Sequence, residues 1–542
     1  MTTLLTNPKL KTLWIYALLV ALVAPSIIWI MLDKAVWPWD QAGYGQAAVD
    51  LFYTLRHTPR DWPEAMMQAV GRKPPAIAWA GQFFVPLGNL TGSIEAGLLV
   101  LVLIVQALNL VVMYRAIREL SGGNTLIAAA GSLAMASAPL FVGMSHQFFV
   151  EPLQLLAVSW FLLIMSFAPK WDRAFILSQL LAAAAFAILV KASSPIYCVG
   201  SGLVALKYVF WPGSNRNTFN WTQKRTLVSL SGGAILTALA LGWYSRNLTQ
   251  VLRHISVSSS GPVAELYGKS EPFFYSFGYW LEASQQNFFV PAVLVMFALL
   301  VGAGFVYFVK HRPTGVTFIT GCAGIAVLQI IIVLALFATS PNRDNRYLLP
   351  LLPYFSLLLG WALVQINVKL ITGAAIAVFL VQWILIYGQA FALIAPNLQL
   401  SDWLLPITRN SRQANILNAI VARTCTETGA ERYTVIGVEL SWLNSETVSF
   451  FASKNRLQTH RRCFYIPLGF AESDPEVVVA SVMTFDPIYF VTLDPDLYPI
   501  PTNPLNQVDL AILEQARDEK TIAEDEPLAE EPAVLFFHRI ED

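Results

Sequence analysis

Four charged side chains border apolar stretches of this chain, where a site for an anionic substrate could form. Asp40 and Lys73 belong to a polar stretch after the first apolar segment, and Lys73 stands in the string Gly-Arg-Lys-Pro-Pro. Glu151 directly precedes one apolar run, and Lys191 directly follows another. Because a charge beside hydrocarbon is costly, such residues are by default candidates for function.

Two arginines precede a further apolar run in the string Pro-Asn-Arg-Asp-Asn-Arg-Tyr. They are Arg343 and Arg346, and Tyr347 follows directly. The guanidinium group presents a planar fork of donors that matches the oxygens of a phosphate. We expect Asp344 to pair with one arginine and to leave the other available for a ligand.

Asp40 and Lys73 each have a simpler alternative interpretation. Apolar spacing from Tyr44 to Leu55 predicts a helix lying along the membrane surface, and Asp40 near its start is a residue type that caps helices. Lys73 could extend its ammonium group to lipid phosphates, because lysine stems lie readily along apolar surfaces. The following prolines restrict the backbone around Lys73, so the side chain could equally be directed at a ligand.

The composition identifies the setting in which these charges lie. The chain has 542 residues, of which 56% are hydrophobic and 13% are charged, and its formal net charge is zero. Soluble domains carry roughly 25% charged residues. The sequence therefore predicts an integral membrane protein, and without a net positive charge it gives no indication of nucleic-acid binding.

Eleven apolar runs approach the length of roughly 20 residues that a membrane-spanning helix needs. They are Leu13–Leu32, Ala96–Tyr114, Leu126–Val142, Pro152–Phe167, Ala174–Val190, Pro195–Phe210, Thr226–Tyr244, Phe288–Val309, Val316–Ala338, Tyr347–Val364 and Leu370–Ala390. With a cytoplasmic N-terminus, every inner loop contains a lysine or arginine, as the positive-inside rule requires. The opposite face then receives the long loop 33–95, a loop from Arg246 to Asn287, and the tail.

The tail differs in composition and predicts a soluble α/β domain. We expect strands at Tyr433–Val438, Pro487–Thr492 and Ala533–Ile540, helices at Gln413–Cys425 and Leu505–Arg517, and a solvated acidic loop at Glu524–Glu531. The predicted domains are 1–395, in the membrane, and 396–542, outside it. Cys425 and Cys463 could form a disulfide if this domain faces an oxidising compartment, and the sequence leaves that question open.

The ordered set of polar residues resembles a known family. Asp40 with Tyr44, the Lys73-Pro74-Pro75 string, Glu151, Lys191, and Arg346-Tyr347 followed by Pro350 and Pro353 occur in this order. In this order they resemble the membrane glycosyltransferases of the GT-C fold that use polyprenyl-phosphate sugars, especially the aminoarabinose-transferase and protein O-mannosyltransferase branch. The resemblance covers the chain up to about Ala390.

The resemblance implies a function and a role for each residue. The chain would move a sugar from a polyprenyl-phosphate donor to an acceptor hydroxyl on a glycan, lipid or protein, with inversion, at the outer face of a bacterial inner membrane. Asp40 would be the catalytic base, and Glu151 would orient sugar or acceptor. The substrate-binding residues would be Tyr44, Lys73, Lys191, Arg343, Arg346 and Tyr347.

One departure from the family pattern concerns the residue after Asp40. Relatives that act on protein hydroxyls often have a second acid there, whereas this chain has Gln41. This weakens the case for a protein acceptor and for a metal site built on two carboxylates. No spacing of His, Cys, Asp or Glu typical of a metal site was found elsewhere, so no metal or other cofactor is assigned and metal dependence stays open.

Two other classes of function compete with the enzyme. A transporter or flippase for a lipid-linked sugar or another anion would also carry charges at the membrane edge. Transporters usually bind near the bilayer midplane between repeated halves, and this sequence has no convincing internal repeat. A non-catalytic assembly subunit is the third alternative, with a tail that binds partners and loop charges that contact only lipid headgroups.

Overall fold

The computed structural model describes most of the chain. The described residues are 8–211, 220–311, 318–394, 401–425, 433–468, 474–498, 506, 508–511, 522–526, 528 and 533–539. They form two compact units. We call Met1–Met31, Gly71–Ile77 and Leu99–Ile407 the helical unit, and Leu32–Val70, Ala78–Leu98 and Thr408–Asp542 the α/β unit.

Helices make up most of the described residues. In chain order they are α1 (Pro8–Ala21), α2 (Ala24–Leu32), α3 (Trp39–His57), α4 (Trp62–Gln68), α5 (Ala76–Gly81), α6 (Gly88–Thr91), α7 (Ile94–Leu120), α8 (Thr125–Ala136), α9 (Pro139–Met144), α10 (Glu151–Phe167), α11 (Arg173–Val190), α12 (Ser194–Phe210), α13 (Lys224–Ser259), α14 (Pro262–Glu265), α15 (Phe273–Phe288), α16 (Pro291–His311), α17 (Phe318–Phe337), α18 (Leu352–Ile366), α19 (Lys369–Ala390), α20 (Arg412–Thr424), α21 (Ser445–Thr459) and α22 (Pro475–Met483). Short 3₁₀ helices occupy Val85–Leu87 and Asn345–Leu351.

Eight helical segments of the described chain are long and apolar enough to cross a membrane, and three further apolar helices, α8, α10 and α12, are shorter. The protein is therefore an integral, multi-pass membrane protein. The total of eleven spans and the direction of the N-terminus stay predictions. Near every predicted span the structure has a helix, but several boundaries differ from those expected.

Two predicted spans have different ends for identifiable reasons. The run Leu126–Val142 is divided between α8 and α9, because Pro139 lacks an amide hydrogen and Ala138 before it is extended. Helix α13 continues past Tyr244 to Ser259, and α15 covers Phe273–Phe288, so most of the expected loop from Arg246 to Asn287 is helical. Its position on the outer side stays a prediction. The second half of α13 contains many polar residues, so the apolar pattern does not predict that the helix continues.

The sheet of the α/β unit has five strands in the order β2-β1-β3-β5-β4. The strands are β1 (Tyr433–Ile436), β2 (Phe464–Pro467), β3 (Pro487–Leu493), β4 (Ile522–Glu524) and β5 (Val534–Arg539). Strand β1 lies between β2 and β3 and is parallel to both, whereas β5 is antiparallel to β3 and β4.

The strands expected near β1, β3 and β5 and the helix near α20 are present in the structure. The acidic loop was wrong at Glu524, which ends strand β4. Of the predicted helix Leu505–Arg517, residues 506 and 508–511 are helical, and the other positions lie outside the described residues. Cys425 and Cys463 form a disulfide with their Cα atoms 5.7 Å apart.

Most of the loop 33–95 belongs to the α/β unit, in which helix α3 packs against α21, whereas Gly71–Ile77 belongs to the helical unit. Trp37 stacks on Phe450 with ring centroids 5.1 Å apart, and Thr447 donates a hydrogen bond to the Trp37 carbonyl. A Cβ at Gly45 would lie 2.9 Å from the Phe450 ring, so this close approach requires glycine. The expected division gave this loop to the membrane domain, and a separate soluble domain at 396–542 stays a prediction.

Candidate active site

Glu151 in the helical unit is the first residue of α10 and is buried. Lys191 directly follows α11, where the backbone leaves the helix in an extended conformation. These two helix ends bring the side chains together, and the Lys191 Nζ atom lies 2.7 Å from Glu151 Oε1. The two residues are 40 positions apart in sequence, so their pairing depends on the packing of α10 against α11.

Arg346 brings a second cation to the same carboxylate. Its Nε atom lies 3.5 Å from Glu151 Oε1 and 2.7 Å from an oxygen of Asp344. Arg343 pairs with Glu271 instead, at 2.5 Å. The expectation that Asp344 would leave one arginine available was therefore wrong, because Glu271 supplies a second acid that the sequence did not associate with this string.

The cluster of Glu151, Lys191, Asp344 and Arg346, which we call the charge cluster, contains two cations and two carboxylates. Its charges balance, which is what burial in a medium of low dielectric requires. The second oxygen of Glu151, Oε2, is buried and accepts no hydrogen bond from the described residues. A buried acceptor of this kind can receive a hydrogen bond from the hydroxyl group of a ligand.

Aromatic rings line the cationic side of the charge cluster. The Arg346 guanidinium lies 4.5 Å from the centre of the Phe149 ring and 5.5 Å from that of Trp403. Lys191 Nζ lies 4.1 Å from the centre of the Tyr347 ring. Tyr197 donates a hydrogen bond to the Tyr347 carbonyl, which fixes that ring beneath the ammonium group. These cation–π contacts stabilise the charged guanidinium and ammonium groups and orient them.

Lys73 lies in the same unit, in the loop before α5. Its side chain is partly exposed, and the prolines that follow it are both buried. The loop approaches α13 closely, since a Cβ at Gly71 would lie 2.8 Å from Gln250 Oε1 and 3.4 Å from Asn247 Oδ1. The Lys73 backbone is thus restricted both by its own sequence and by a neighbouring helix.

Asp40 and Tyr44 lie in the α/β unit, on the first turns of α3. The capping alternative for Asp40 was wrong, because Pro38 occupies the N-cap position and Asp40 lies within the first turn of the helix. Asp40 is partly exposed, whereas Tyr44 is buried. Asp40 is the acidic residue of the first turn, where the helix dipole favours a negative charge.

Trp39, directly before Asp40, has an unusual backbone. Its φ angle is +28°, a region that costs a residue with a side chain about 1–2 kcal/mol. Its indole N–H donates a hydrogen bond to Glu439 Oε2 at 3.1 Å. Burial raises the pKa of Glu439 to about 7, against the opposing effect of that hydrogen bond, and the nearby Glu446 carboxylate raises it further. Nothing in the sequence associated Glu439 with Trp39, which lies 400 positions earlier, or with the neighbouring Asp40.

Metal ligands are not grouped in the described part of the chain, where no set of three His, Cys, Asp or Glu side chains could hold a metal ion. Metal dependence is as open as the sequence left it. His146 is buried, stacks on Trp29 and hydrogen-bonds to Ser26.

Comparison with known proteins supports the resemblance. Residues 72–243 match the family model described as dolichyl-phosphate-mannose-protein mannosyltransferase. The fold is similar to that of ArnT from Cupriavidus metallidurans in the apo state, with a TM-score of 0.60 and 15% identity over 97% of this chain and 98% of that chain. The same protein bound to undecaprenyl phosphate gives a TM-score of 0.56 and 17% identity over the same shares. A search of curated proteins returned no significant match.

The chain therefore has an ArnT-like GT-C fold, and its resemblance to polyprenyl-phosphate-dependent glycosyltransferases is confirmed. The family match and the fold together support a membrane glycosyltransferase. The roles of individual residues are not decided by these comparisons and are taken up next.

Proposed function

We propose that the protein transfers a sugar from a polyprenyl-phosphate donor to an acceptor hydroxyl, with inversion at the anomeric carbon. The observation that carries the proposal is the charge cluster, in which a buried carboxylate is held by Lys191 and Arg346 at the ends of apolar helices. Undecaprenyl phosphate, the lipid bound in the similar ArnT structure, has the chemistry that these cations and a membrane would recognise.

Asp40 is proposed as the base that removes the proton of the acceptor hydroxyl during its attack on the anomeric carbon. The bond to the lipid phosphate breaks as the new glycosidic bond forms, and the phosphate leaves as an anion. Cations near its oxygens stabilise the developing charge, so no separate acid is needed. A positioned base contributes roughly 10²–10⁴-fold, and orientation and charge stabilisation supply the remainder.

Lys73, Lys191, Arg343 and Arg346 are proposed to hold the phosphate, with Tyr44 and Tyr347 also binding substrate. The carboxylates of the charge cluster already neutralise its two cations, so a phosphate must compete with Glu151 and Asp344 for them. We assign to Lys73 the role of supplying additional positive charge. Glu151 is proposed to orient the sugar or acceptor, because its Oε2 atom can accept a hydroxyl donor.

The reaction is proposed to occur at the outer face of a bacterial inner membrane. The distribution of lysine and arginine among the loops supports this orientation. The disulfide between Cys425 and Cys463 supports it independently, because disulfides persist in oxidising compartments such as the periplasm.

The decisive experiment is transfer by Asp40→Asn. Mass spectrometry of the lipid-linked sugars that accumulate in cells without the protein identifies the donor. The purified protein is then incubated with this donor and with extracts that contain possible acceptors, and transfer is measured. We expect Asp40→Asn to lose at least about 10²-fold in transfer while binding undecaprenyl phosphate normally. Asp61→Asn, an exposed acid of the same loop, is the matched control. Full transfer by Asp40→Asn would overturn the role of Asp40.

Phosphate binding is tested separately with undecaprenyl phosphate as the probe. We expect Lys73→Ala and Arg346→Lys to bind it more weakly, the first through lost charge and the second through lost fork geometry. Unchanged affinity in both variants would contradict the phosphate assignment. A transporter would move the lipid-linked sugar without Asp40, and an assembly subunit would show no transfer in any variant.

A further inference from the structure

Glu439 occupies a position in the α/β unit where ligands and functional side chains often lie. It follows strand β1 by three residues, at the carboxyl end of that strand. The neighbours of β1 are β2 on one side and β3 on the other, so the strand order changes direction at β1. In open α/β sheets, functional groups gather at such a switch point, outside the carboxyl ends of the strands.

The backbone around Glu439 is held rigidly. Its N–H donates a hydrogen bond of 2.8 Å to the side-chain oxygen of Asn506. The next residue, Leu440, donates to the carbonyl of Leu443 and accepts from the side chain of Asn444. The Glu439 carboxylate is therefore presented from a fixed segment, as a group that orients another side chain must be.

The fixed carboxylate contacts the residue that begins α3. Trp39 lies between Pro38, the N-cap, and Asp40, and its left-handed backbone determines the direction in which the chain enters the helix. A non-glycine residue in this conformation persists only where its surroundings hold it. The hydrogen bond from the Trp39 indole to Glu439 is the side-chain contact that does so.

We propose that Glu439 is a positioning residue for the reaction: by holding the Trp39 indole it fixes the first turn of α3 and so directs the Asp40 carboxylate. This inference rests on the proposed function, in which Asp40 is the base. The C-terminal part of the chain would thus have a role in catalysis although Glu439 does not contact the substrate. Glu439 acts through Trp39 alone, so the indole N–H and the carboxylate form one functional pair.

The test compares steady-state transfer by four variants of the full-length protein: Glu439→Ala, Glu439→Gln, Trp39→Phe, and the double variant Glu439→Ala with Trp39→Phe. Because a misdirected base slows the chemical step, we expect Glu439→Ala and Trp39→Phe each to lower kcat by about 10–100-fold with the KM for the donor unchanged. Glutamine retains an oxygen that accepts the indole N–H, so Glu439→Gln should stay within about threefold of wild type. Glu476→Ala, at an exposed acid of α22, is the control.

The double variant separates positioning from general packing. If both residues act through one hydrogen bond, it should be no slower than the slower single variant. Multiplied losses, or a Glu439→Gln variant as slow as Glu439→Ala, would overturn the inference. Trp39→Phe removes only the N–H and part of the ring, so it decides the question even if Glu439→Ala misfolds. If Glu439→Ala and Trp39→Phe both had normal kcat while Asp40→Asn was inactive, only this inference would be refuted. If the wild-type protein showed no transfer, both this inference and the proposed function would be refuted.

Discussion

Glu151 and Glu439 are both largely withdrawn from water, yet the protein treats their charges in opposite ways. Glu151, in the helical unit, lies against Lys191 and Arg346. Glu439, in the α/β unit, pairs with no cation among the described residues; it accepts an indole N–H and experiences the like charge of Glu446. For Glu151, partners of opposite charge offset the energetic cost of burying a carboxylate. For Glu439, burial instead raises the pKa of the carboxyl group.

The two carboxylates support different chemistry. A carboxylate neutralised by two cations brings positive groups to a membrane-bordering site, where an anionic leaving group needs them. A carboxylate that lies beside an indole N–H and another acid, as Glu439 does, has a raised pKa and holds a proton more readily. The proposed roles of Lys191 and Arg346 in phosphate binding follow from the first of these two arrangements.

The largest expected effect comes from breaking the ion pair of Glu151. We expect Glu151→Gln to lower the free energy of unfolding by about 3–5 kcal/mol, because it leaves Lys191 and Arg346, which are largely shielded from water, without their shared buried carboxylate. Thermal unfolding of the purified protein in detergent measures this. Glu439→Gln is the matched change in the other unit and should cost less than about 1 kcal/mol, since it keeps the indole hydrogen bond.

The double variant Glu151→Gln with Lys191→Gln tests whether the loss of stability comes from uncompensated charge. Removing both partners leaves fewer uncompensated charges, so it should be more stable than Glu151→Gln alone. If Glu151→Gln and Glu439→Gln were equally mild, the two carboxylates would not differ in the manner described.

The next effect in size concerns the disulfide of the α/β unit. Reduction of Cys425–Cys463, or replacement of both residues by serine, should cost about 2–4 kcal/mol, because the bond constrains the unfolded chain over 38 residues. Hydrogen exchange measured by mass spectrometry should show faster exchange in β1 and β2. The helical unit is the internal control, since its Cys198 and Cys322 are free thiols and its exchange should not respond to reductant. Equal acceleration in both units would contradict a local role.

The sequence predicted much of the helical unit and little of what connects distant segments. Charges at the ends of apolar runs identified Glu151, Lys191 and Arg346, because a charge at a membrane edge is conspicuous against its neighbours. The partner of Arg343 escaped notice because Glu271 lies 72 positions earlier in an unremarkable loop. Pairing across such separations is decided by packing, which hydrophobic periodicity does not encode.

The α/β unit shows the same limit more severely. Strands β1 and β3 have clear apolar patterns, but β2 has only four residues and went unrecognised. The hydrogen bond between Trp39 and Glu439 joins residues 400 positions apart and exists only because α3 packs against α21. The left-handed conformation of Trp39 had no sequence signal, since a glycine would ordinarily be expected there.

A smaller effect is expected from pH, again confined to the α/β unit. Burial raises the pKa of Asp509 to about 8, although the hydroxyl of Thr492 donates a hydrogen bond to it and acts in the opposite direction. The pKa of this carboxyl is thus higher in the folded than in the unfolded protein, so the folded state holds its proton more tightly. Its stabilising contribution is complete below about pH 4 and is lost as the pH rises to about 8.

We therefore expect the α/β unit to lose up to a few kcal/mol of stability over this range. Hydrogen exchange of the β3 amides, which flank Thr492, measures the change in the intact protein. Asp509→Asn cannot titrate and should remove the part of this pH dependence that extends to about pH 8. It should leave the contributions of Glu439, whose pKa is raised to about 7, of Asp33, whose pKa is raised to about 6, and of Asp50, whose pKa is also raised, in each case mainly by burial. A wild-type protein whose β3 exchange showed no pH-dependent stability would refute the assignment.

The smallest expected effect tests whether burial, and not ion pairing itself, gives the charge cluster its importance. Arg225 pairs with Asp172 at 2.9 Å in the same helical unit, but about half of the Arg225 side chain is exposed. Water and salt screen such a pair, so Arg225→Gln should change the free energy of unfolding by at most about 1 kcal/mol. Replacing Arg225 is the cleaner choice, because Asp172 also caps α11 through the amide of Phe175. If thermal unfolding showed a loss as large as that of Glu151→Gln, the contrast between paired charges at the surface and in the interior would not hold for this protein.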